Sequence, residues 1–303
     1  MSFARRSFLQ SVFGGMGLWS GMGATSRAAE DLQPFVAAFL TDTHLPGGKP
    51  EVAERVAGLI DSIQSRPAPP QLFIFGGDNV MAVDGNQTNE QTDEQFRLWN
   101  DTVMSRLKSP SVSVIGNHDI RWKDRVADKP EEYQEKARAI ATYKMPSRFY
   151  RKEHGGWTFL LLDTYQHSGC ELDETQWTWL KEQLQQGDSP VCVVTHAPLM
   201  SATHFLEPST DRGKGYSIPS GWSPQGLTKF RAMFQEFPRV KLCLSGHMHT
   251  CDRVEIDQTA YVCGGAVSGN WWGKGDYLGF GPTWVELKLF PDGRWTHTLQ
   301  KWS

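Results

Sequence analysis

Short apolar runs alternate with helix-like stretches along the chain, and this alternation restricts the fold more than any other feature of the sequence. Runs at residues 34–40, 71–75 and 111–115 have the length and composition of buried strands. The first predicted helix carries apolar side chains at helical spacing, at Val52, Val56, Leu59, Ile60 and Ile63. A second helix is expected near residues 93–107. Strand–helix–strand alternation favours parallel strands joined by right-handed crossovers, so an α/β fold is predicted.

The second half of the chain adds strands and then changes to hairpins. Two further apolar runs lie at residues 157–164 and 191–195. Between them, Asp173 with Gln176 predicts a capping box at the start of a helix. The tail alternates apolar and polar residues around a turn at residues 291–293, as antiparallel strands do. Since no repeat or linker divides the chain, one domain over residues 30–303 is expected.

Residues 1–29 differ in composition from the rest of the chain. Arg5 and Arg6 are followed by Phe8 and Leu9, a glycine-rich apolar run and small residues near Ala28. This order resembles a bacterial twin-arginine signal peptide. The apolar run is too short for a transmembrane helix. We therefore predict transient contact with the twin-arginine export machinery, a periplasmic or secreted location and no stable membrane association of the mature protein. A disordered cytoplasmic tail is the alternative.

Charge and cysteine content exclude some kinds of partner and site. The formal net charge is −3 and no basic stripe is present, so a nucleic-acid partner is not expected. The five cysteines include no CxxC pair, which argues against a thiolate zinc site. Cys251 and Cys263 flank a predicted hairpin, and a disulfide between them is a hypothesis that depends on export.

Polar residues with metal-binding or proton-transfer chemistry follow five of the predicted strands. An α/β sheet presents such strand ends to ligands. Five of the nine histidines of the chain fall in these positions. The residues are Asp42, His44, Asp78, Asn117, His118, Asp119, His196, His247 and His249.

The chemistry of these residues predicts a dinuclear metal site. Carboxylate, amide and imidazole groups without thiolates suit manganese, iron, zinc or cobalt. The ligands are too many for one ion but suit two ions that share a carboxylate. Two ions roughly 3.5–4 Å apart stabilise both the attacking and the leaving oxygen of a displacement at phosphorus.

The ordered motifs D-x-H, G-D, G-N-H-D, H and G-H-x-H, from Asp42 to His249, resemble those of the calcineurin-like metallophosphoesterase superfamily. The resemblance implies a fold of two mixed β-sheets packed face to face with helices outside. It implies a phosphoester hydrolase with two divalent or mixed-valence ions of manganese, iron or zinc, in which a metal-bridging hydroxide attacks phosphorus.

Position by position, the resemblance also implies roles for the candidate residues. Asp78 would bridge the two ions, and His118 would donate a proton or hydrogen bond, with Asp119 orienting its ring. The first ion would be held by Asp42, His44 and His249, and the second by Asn117, His196 and His247.

The details of the motifs favour one branch of the superfamily. The first motif and the residues after Asp78 differ from the patterns of purple acid phosphatases and protein serine/threonine phosphatases. The chain is most similar to small bacterial phosphodiesterases related to the class III cyclic nucleotide enzymes. A phosphodiesterase acting on a small phosphoester is therefore expected. A secreted phosphomonoesterase, a nuclease-like enzyme and a catalytically weak metal-binding scaffold are the alternatives.

Substrate contacts are expected outside the motifs, in part from the long loops at residues 81–92 and 197–223. Three residues are candidates for binding substrate: Asn79, Arg121 and His204. Trp271 and Trp272 are expected to pack in the core, or otherwise to stack on a base or cover the metals.

Overall fold

The computed structural model describes residues 32–84, 87–122 and 136–303. The predicted signal peptide, residues 1–29, lies outside the described residues and stays a prediction. The strands are β1 (Phe35–Leu40), β2 (Leu72–Phe75), β3 (Ser111–Ser113), β4 (Tyr150–His154), β5 (Trp157–Leu161), β6 (Tyr165–Gln166), β7 (Gly169–Cys170), β8 (Val191–Val194), β9 (Val240–Ser245), β10 (Cys251–Ile256), β11 (Thr259–Gly264), β12 (Thr283–Leu289) and β13 (Trp295–Lys301). The α-helices are α1 (Pro50–Gln64), α2 (Asn89–Trp99), α3 (Ala137–Thr142), α4 (Glu174–Leu184) and α5 (Leu227–Glu236).

Two mixed sheets form the centre of the described chain. The first has the strand order β13-β12-β1-β2-β3, and the second has the order β10-β11-β9-β8-β5-β4. In the first sheet β1, β2 and β3 are parallel, while β12 and β13 are antiparallel to their neighbours. In the second sheet β5, β8, β9 and β11 are parallel, and antiparallel strands close both edges. The carboxyl ends of the parallel strands carry the candidate ligands.

The central parallel strands of each sheet are buried on both faces, which explains the continuous apolar runs in the sequence. In β1, Phe39 packs between the sheets with Ile74 and Phe159, while Leu40 faces the layer of α1 and α2. Helices α4 and α5 cover the outer face of the second sheet, where Trp177 packs on Phe230. The order of layers is therefore helix, sheet, sheet, helix, and the predicted fold class is confirmed.

The helices begin where the sequence supplies suitable first residues. Pro50 stands at the start of α1, where its missing N–H removes no helical hydrogen bond. Thr88 and Gln91 form a complete capping box at α2, which then continues as a π-helical turn at Asn100–Met104. Asp173 caps α4 as predicted by accepting the N–H of Gln176. The second hydrogen bond of a capping box, from the backbone N–H of Asp173 to the Gln176 side chain, is absent. The Gln176 amide instead accepts the N–H of Asp163 and donates to the carbonyl of Asp163.

Cys251 and Cys263 are free thiols, so the proposed disulfide between them is wrong. Cys251 pairs with Gly264 across the β10–β11 hairpin, and Cys263 pairs with Asp252. Neighbouring positions along a strand point to opposite faces, so the two sulfur atoms lie on different sides of the sheet. The Cys251 thiol lies near Thr283, and the Cys263 thiol lies against the carbonyl of Gly246.

Among the described helices, none combines the length and apolar character needed to cross a membrane.

Candidate dinuclear metal centre

The candidate ligands meet where the two sheets present the carboxyl ends of their parallel strands. Asp42 and His44 follow β1, Asp78 follows β2 and Asn117 follows β3, all in the first sheet. The ligands that follow strands of the second sheet are His196, after β8, and His247 and His249, after β9. Both sheets therefore contribute ligands to one buried site.

Asp42, His44 and His249 form the first cluster. The Nε2 atoms of His44 and His249 lie 3.0 Å apart. Asp42 Oδ1 lies 3.4 Å from His249 Nε2 and 3.9 Å from His44 Nε2. The ligand atoms of all three lie within 4.8 Å of one another, so one metal ion could contact them together.

Asp78, His196 and His247 form the second cluster, with the same 4.8 Å limit on the separation of their ligand atoms. Asp78 Oδ2 lies 3.2 Å from His196 Nε2. The same oxygen lies 3.6 Å from His44 Nε2, in the first cluster. One carboxylate oxygen thus faces ligands of both clusters, which is the position that a bridging ligand requires.

The backbone at these ligands is strained. Asp42, His44, Asp78, His247 and His249 all have left-handed conformations, with φ between 45° and 70°. Such conformations cost about 1–3 kcal/mol each and persist where surrounding contacts hold them. Backbone hydrogen bonds between the loops after β1 and β2 supply such contacts, from Asp42 N to Gly77 O and from His44 N to Asp78 O.

Glycine is required where these loops approach one another. A Cβ atom on Gly116 would lie 2.0 Å from Asp78 Oδ1. A Cβ atom on Gly246 would lie 2.1 Å from Asp42 Oδ2. The glycines of the G-N-H-D and G-H-x-H motifs therefore let the backbone pass directly against the carboxylates.

The ring orientations suit metal binding through Nε2. His196 Nδ1 lies 2.7 Å from the carbonyl of Gly76, and His249 Nδ1 lies 2.7 Å from the carbonyl of Gly269. A carbonyl can only accept, so each Nδ1 donates and, in the neutral ring, Nε2 carries the lone pair. The two Nε2 atoms that face each other in the first cluster would then repel unless a cation lay between them.

Buried polar atoms without partners give a second sign that the site fits metal ions. Among the described residues, Asn117 Oδ1 is buried and accepts no hydrogen bond, and the buried His196 Nε2 has the Asp78 carboxylate 3.2 Å away as its charged neighbour. Buried polar atoms are normally paired, and an unpaired one calls for an explanation such as an ion. Both atoms belong to residues predicted as ligands of the second ion.

Charge and burial set the protonation of the ligands. Burial lowers the pKa of His44 to about 4 and that of His247 to about 3, so both rings are neutral at physiological pH. Burial alone would raise the pKa values of Asp42 and Asp78, yet the neighbouring histidines hold both below the usual range. Burial alone would lower the pKa of His196, but the Asp78 carboxylate raises it to about 9.

His118 stands beside the clusters and remains partly exposed. Its backbone N–H donates to Asp78 Oδ1 at 2.9 Å, and its Nδ1 lies 3.4 Å from Asp84 Oδ1. Burial alone would lower the pKa of His118, but the Asp84 carboxylate raises it to about 9, so the ring is protonated at neutral pH. Sequence reasoning missed Asp84, since no motif spacing relates it to His118.

The prediction that Asp119 orients the His118 ring is wrong. Asp119 is buried, and its carboxylate accepts the backbone N–H groups of Asp78, Asn79 and Gly116 at 2.8–3.0 Å. It also accepts the Tyr143 hydroxyl at 2.7 Å. The 3₁₀ turn at Asn117–Asp119 directs this side chain into the loop after β2, where it fixes the backbone around Asp78.

The three predicted substrate-binding residues are buried. Asn79 is fully buried, and its N–H is bound to Asp119. Arg121 is also buried and donates to the carbonyl of Gln87 and to side chains of the 81–92 loop and α2, so it holds that loop in place. His204 is 2% exposed and packs near Trp222. Their contact with substrate stays a prediction, although little of each side chain is exposed.

Two aromatic residues touch the candidate ligands: Tyr165, which the sequence analysis did not name, and Trp271, which was expected to pack in the core or to cover the metals and is 38% exposed. The Tyr165 hydroxyl lies 3.3 Å from His247 Nδ1 and 3.0 Å from the carbonyl of Gly221 in the long 197–223 loop. Trp271 stacks on His249 with 3.8 Å between ring centroids and 22° between the planes. An apolar ring in the sequence does not distinguish such contacts from ordinary core packing.

Comparisons with known proteins agree with this fold. A 3′,5′-cyclic-nucleotide phosphodiesterase from Nostoc sp. is 22% identical over 280 residues, which cover 88% of this chain and 92% of that protein. A dimetal phosphatase from Danio rerio has a similar fold, with a TM-score of 0.59 and 11% identity over 88% of this chain and 96% of that one.

A purple acid phosphatase from yellow lupin also has a similar fold, with a TM-score of 0.58 and 14% identity. The match covers 88% of this chain and 51% of the lupin chain, so this chain spans about half the length of that enzyme. Residues 35–251 match the calcineurin-like phosphoesterase family. The chain, with its candidate dinuclear site at the strand ends of two mixed sheets, belongs to the calcineurin-like phosphoesterase family.

Proposed function

We propose that the chain is a two-metal phosphodiesterase that hydrolyses a small phosphoester. The observation that carries the proposal is the position of Asp78 Oδ2, within 3.6 Å of His44 Nε2 and 3.2 Å of His196 Nε2. Asp78 would bridge two ions. The first ion would be held by Asp42, His44 and His249, and the second by Asn117, His196 and His247.

Two bound ions would lower the pKa of a water between them and neutralise charge on the phosphate oxygens. The protein's own residues act on the leaving group. His118, protonated and 31% exposed, would donate its proton to the leaving oxygen through Nε2. Asp84 would hold the opposite ring nitrogen and keep the ring directed at the substrate.

The proposed preference for diesters rests on the Nostoc relative, whose name assigns it to 3′,5′-cyclic nucleotides. His118 would protonate the alkoxide leaving group of a diester and of a monoester alike, so it supports phosphoester hydrolysis but not the choice between the two substrates. A phosphomonoesterase working through the same ligands is the competing function, and both substrates must therefore be compared.

The test is steady-state kinetics with bis(p-nitrophenyl) phosphate and p-nitrophenyl phosphate. Metal-stripped protein would be refilled with manganese, iron or zinc before each assay. We expect a kcat/KM for the diester at least tenfold above that for the monoester with one of these metals. The reverse preference would identify a phosphomonoesterase, and no turnover with two ions bound would support a non-catalytic metal-binding protein.

We also propose that residues 1–29 direct export through the twin-arginine machinery. The paired Arg5 and Arg6 support this proposal. Cell fractionation of the wild-type chain and of the Arg5→Lys/Arg6→Lys double variant would test it. Export unaffected by the double substitution would contradict this route.

A further inference from the structure

Residues 267–272 are part of the connection between β11 and β12, and they contact the loop that carries two ligands of the first cluster. We call these residues the clasp segment. They lie beyond residues 35–251, the part of the chain that matches the family. They contain the sequence Val-Ser-Gly-Asn-Trp-Trp.

The clasp segment bonds four consecutive carbonyl groups of the loop after β1. Val267 N donates to Thr41 O at 2.9 Å. Ser268 donates to Asp42 O twice, from its N–H at 3.1 Å and from its hydroxyl at 2.8 Å. Trp272 Nε1 lies 3.1 Å from Thr43 O and 3.0 Å from His44 O and donates to both.

The same segment holds the third ligand of the first cluster. The carbonyl of Gly269 lies 2.7 Å from His249 Nδ1, and the Trp271 ring stacks on the His249 ring. The clasp segment thus contacts Asp42, His44 and His249, although His44 and His249 lie 205 residues apart in sequence.

The ligand loop needs support of this kind because its backbone is strained. Asp42 and His44 have left-handed φ angles of 52° and 45°. Trp271 and Trp272 themselves have φ angles of 46° and 64°. Bulky residues rarely adopt this conformation, and strain of this kind concentrates at ligand-binding sites. Two successive strained tryptophans are explained if the contacts of their rings with the ligands are needed at this site.

We propose that the clasp segment is the positioning element of the first metal ion, with Trp272 fixing Asp42 and His44 through the loop carbonyls and Trp271 fixing the ring of His249. The proposal rests on the two-metal site proposed above. Trp272 is a positioning residue, because it acts on the ion through its ligands. Removing its N–H is expected to weaken binding of the first ion and to leave binding of the second ion unchanged.

The test uses Trp272→Phe, which keeps an aromatic ring but loses the donor to Thr43 O and His44 O. Trp157→Phe is the matched control, since Trp157 Nε1 likewise donates to a backbone carbonyl, that of Phe290. Calorimetric titration of metal-stripped full-length protein with Mn²⁺ would measure both dissociation constants. We expect one constant to rise about 10–100-fold in Trp272→Phe, as is typical for outer partners of metal ligands, and neither to change in Trp157→Phe.

Two background variants assign the affected ion. In His247→Ala, which impairs the second cluster, Trp272→Phe should still weaken the remaining ion. In His249→Ala, which impairs the first cluster, Trp272→Phe should have no further effect. The proposal would be overturned if Trp272→Phe weakened Mn²⁺ binding equally in both backgrounds, or in neither.

Folding and activity are controlled separately. If Trp272→Phe does not fold, Ser268→Ala removes only the hydroxyl bond to Asp42 O, and a smaller rise in the same constant is expected. Turnover of Trp272→Phe should return to near wild type at saturating Mn²⁺, which a misfolded variant would not show. Two ions bound in the wild type without turnover would contradict the proposed activity and leave the result on the clasp segment intact.

Discussion

At the scale of single residues, His118 differs from the other site histidines by combining partial exposure with a raised pKa. The pKa of His196 is also raised, but that ring is buried, and His247 is partly exposed, but its pKa is lowered. The backbone N–H of His118 donates to Asp78 Oδ1, and one of its ring nitrogens lies within 4.8 Å of the ligand atoms of His44 and Asp78. We propose its partly exposed ring as the proton donor and the other site histidines as metal ligands.

Replacing His118 should separate chemistry from metal binding. On an ester with an alkoxide leaving group, we expect His118→Ala to keep both ions and to lose about 10²–10⁴-fold in kcat, the usual contribution of a positioned proton donor. Asp84→Asn should lose less, because the donor remains and only its partner changes. Elemental analysis alongside kinetics would check this, and loss of an ion from His118→Ala would contradict the assignment.

Metal uptake should release a proton from His196. With its pKa raised to about 9 by Asp78, this ring is protonated at pH 7, and the proton must leave when Nε2 binds an ion. His44 and His247, with lowered pKa values, have no proton to release. The apparent affinity of the protein for the metal ion should therefore rise with pH up to about 9. Calorimetry in buffers of different ionisation enthalpy would count the protons, and equal release at pH 7 and pH 10 would contradict the prediction.

The sequence predicts residues that follow strands better than residues that meet through the fold. Asp42, His44 and His249 stand directly after apolar runs, so their meeting follows from strand direction. Asp84 and Trp272 reach the site from loops at no fixed spacing from the motifs. The sequence analysis did not name Asp84, and it named Trp272 without its hydrogen bonds to the ligand loop. Asp119 shows the converse error, since adjacency to His118 in sequence does not place two side chains together when a 3₁₀ turn separates their directions.

At the scale of elements, the strand-to-loop junctions tolerate no added atoms, whereas the helix surfaces do. Gly116 passes against Asp78, while a Cβ atom added to Gly58 in α1 would have no neighbouring atom within 4 Å. Gly116→Ala should displace Asp78 and abolish binding of both ions. Gly58→Ala should instead stabilise the protein by about 0.5–1 kcal/mol, because alanine is the better helix former. Metal analysis and chemical denaturation would check the pair, and retained ions in Gly116→Ala would contradict the first part.

Element boundaries were less predictable than element types. The expected helix at residues 93–107 begins at Asn89, because Thr88 and Gln91 complete a capping box, and it ends in a π-helical turn at Asn100–Met104. Strand β4 escaped prediction because it lies at a sheet edge and carries charged residues, as edge strands often do.

At the scale of the whole molecule, the metal centre joins the two sheets. Asp42, His44, Asp78 and Asn117 belong to the first sheet, and His196, His247 and His249 belong to the second. Removing the ions should therefore destabilise the entire sandwich. At free metal 100-fold above Kd, each ion contributes about 2.7 kcal/mol, which corresponds to roughly 5–10 °C in Tm. Thermal unfolding with and without chelator would measure this, and an unchanged Tm would contradict binding at the clusters.

The two ends of the chain must meet before the first cluster exists. His44 and His249 lie 205 residues apart in sequence, and β1 pairs with β12 near the end of the chain. Contacts of such long range form late, because a large loop must close first. During synthesis the chain therefore cannot assemble the first cluster until β9 and the clasp segment have left the ribosome. We therefore expect the first ion to bind only after both sheets have formed.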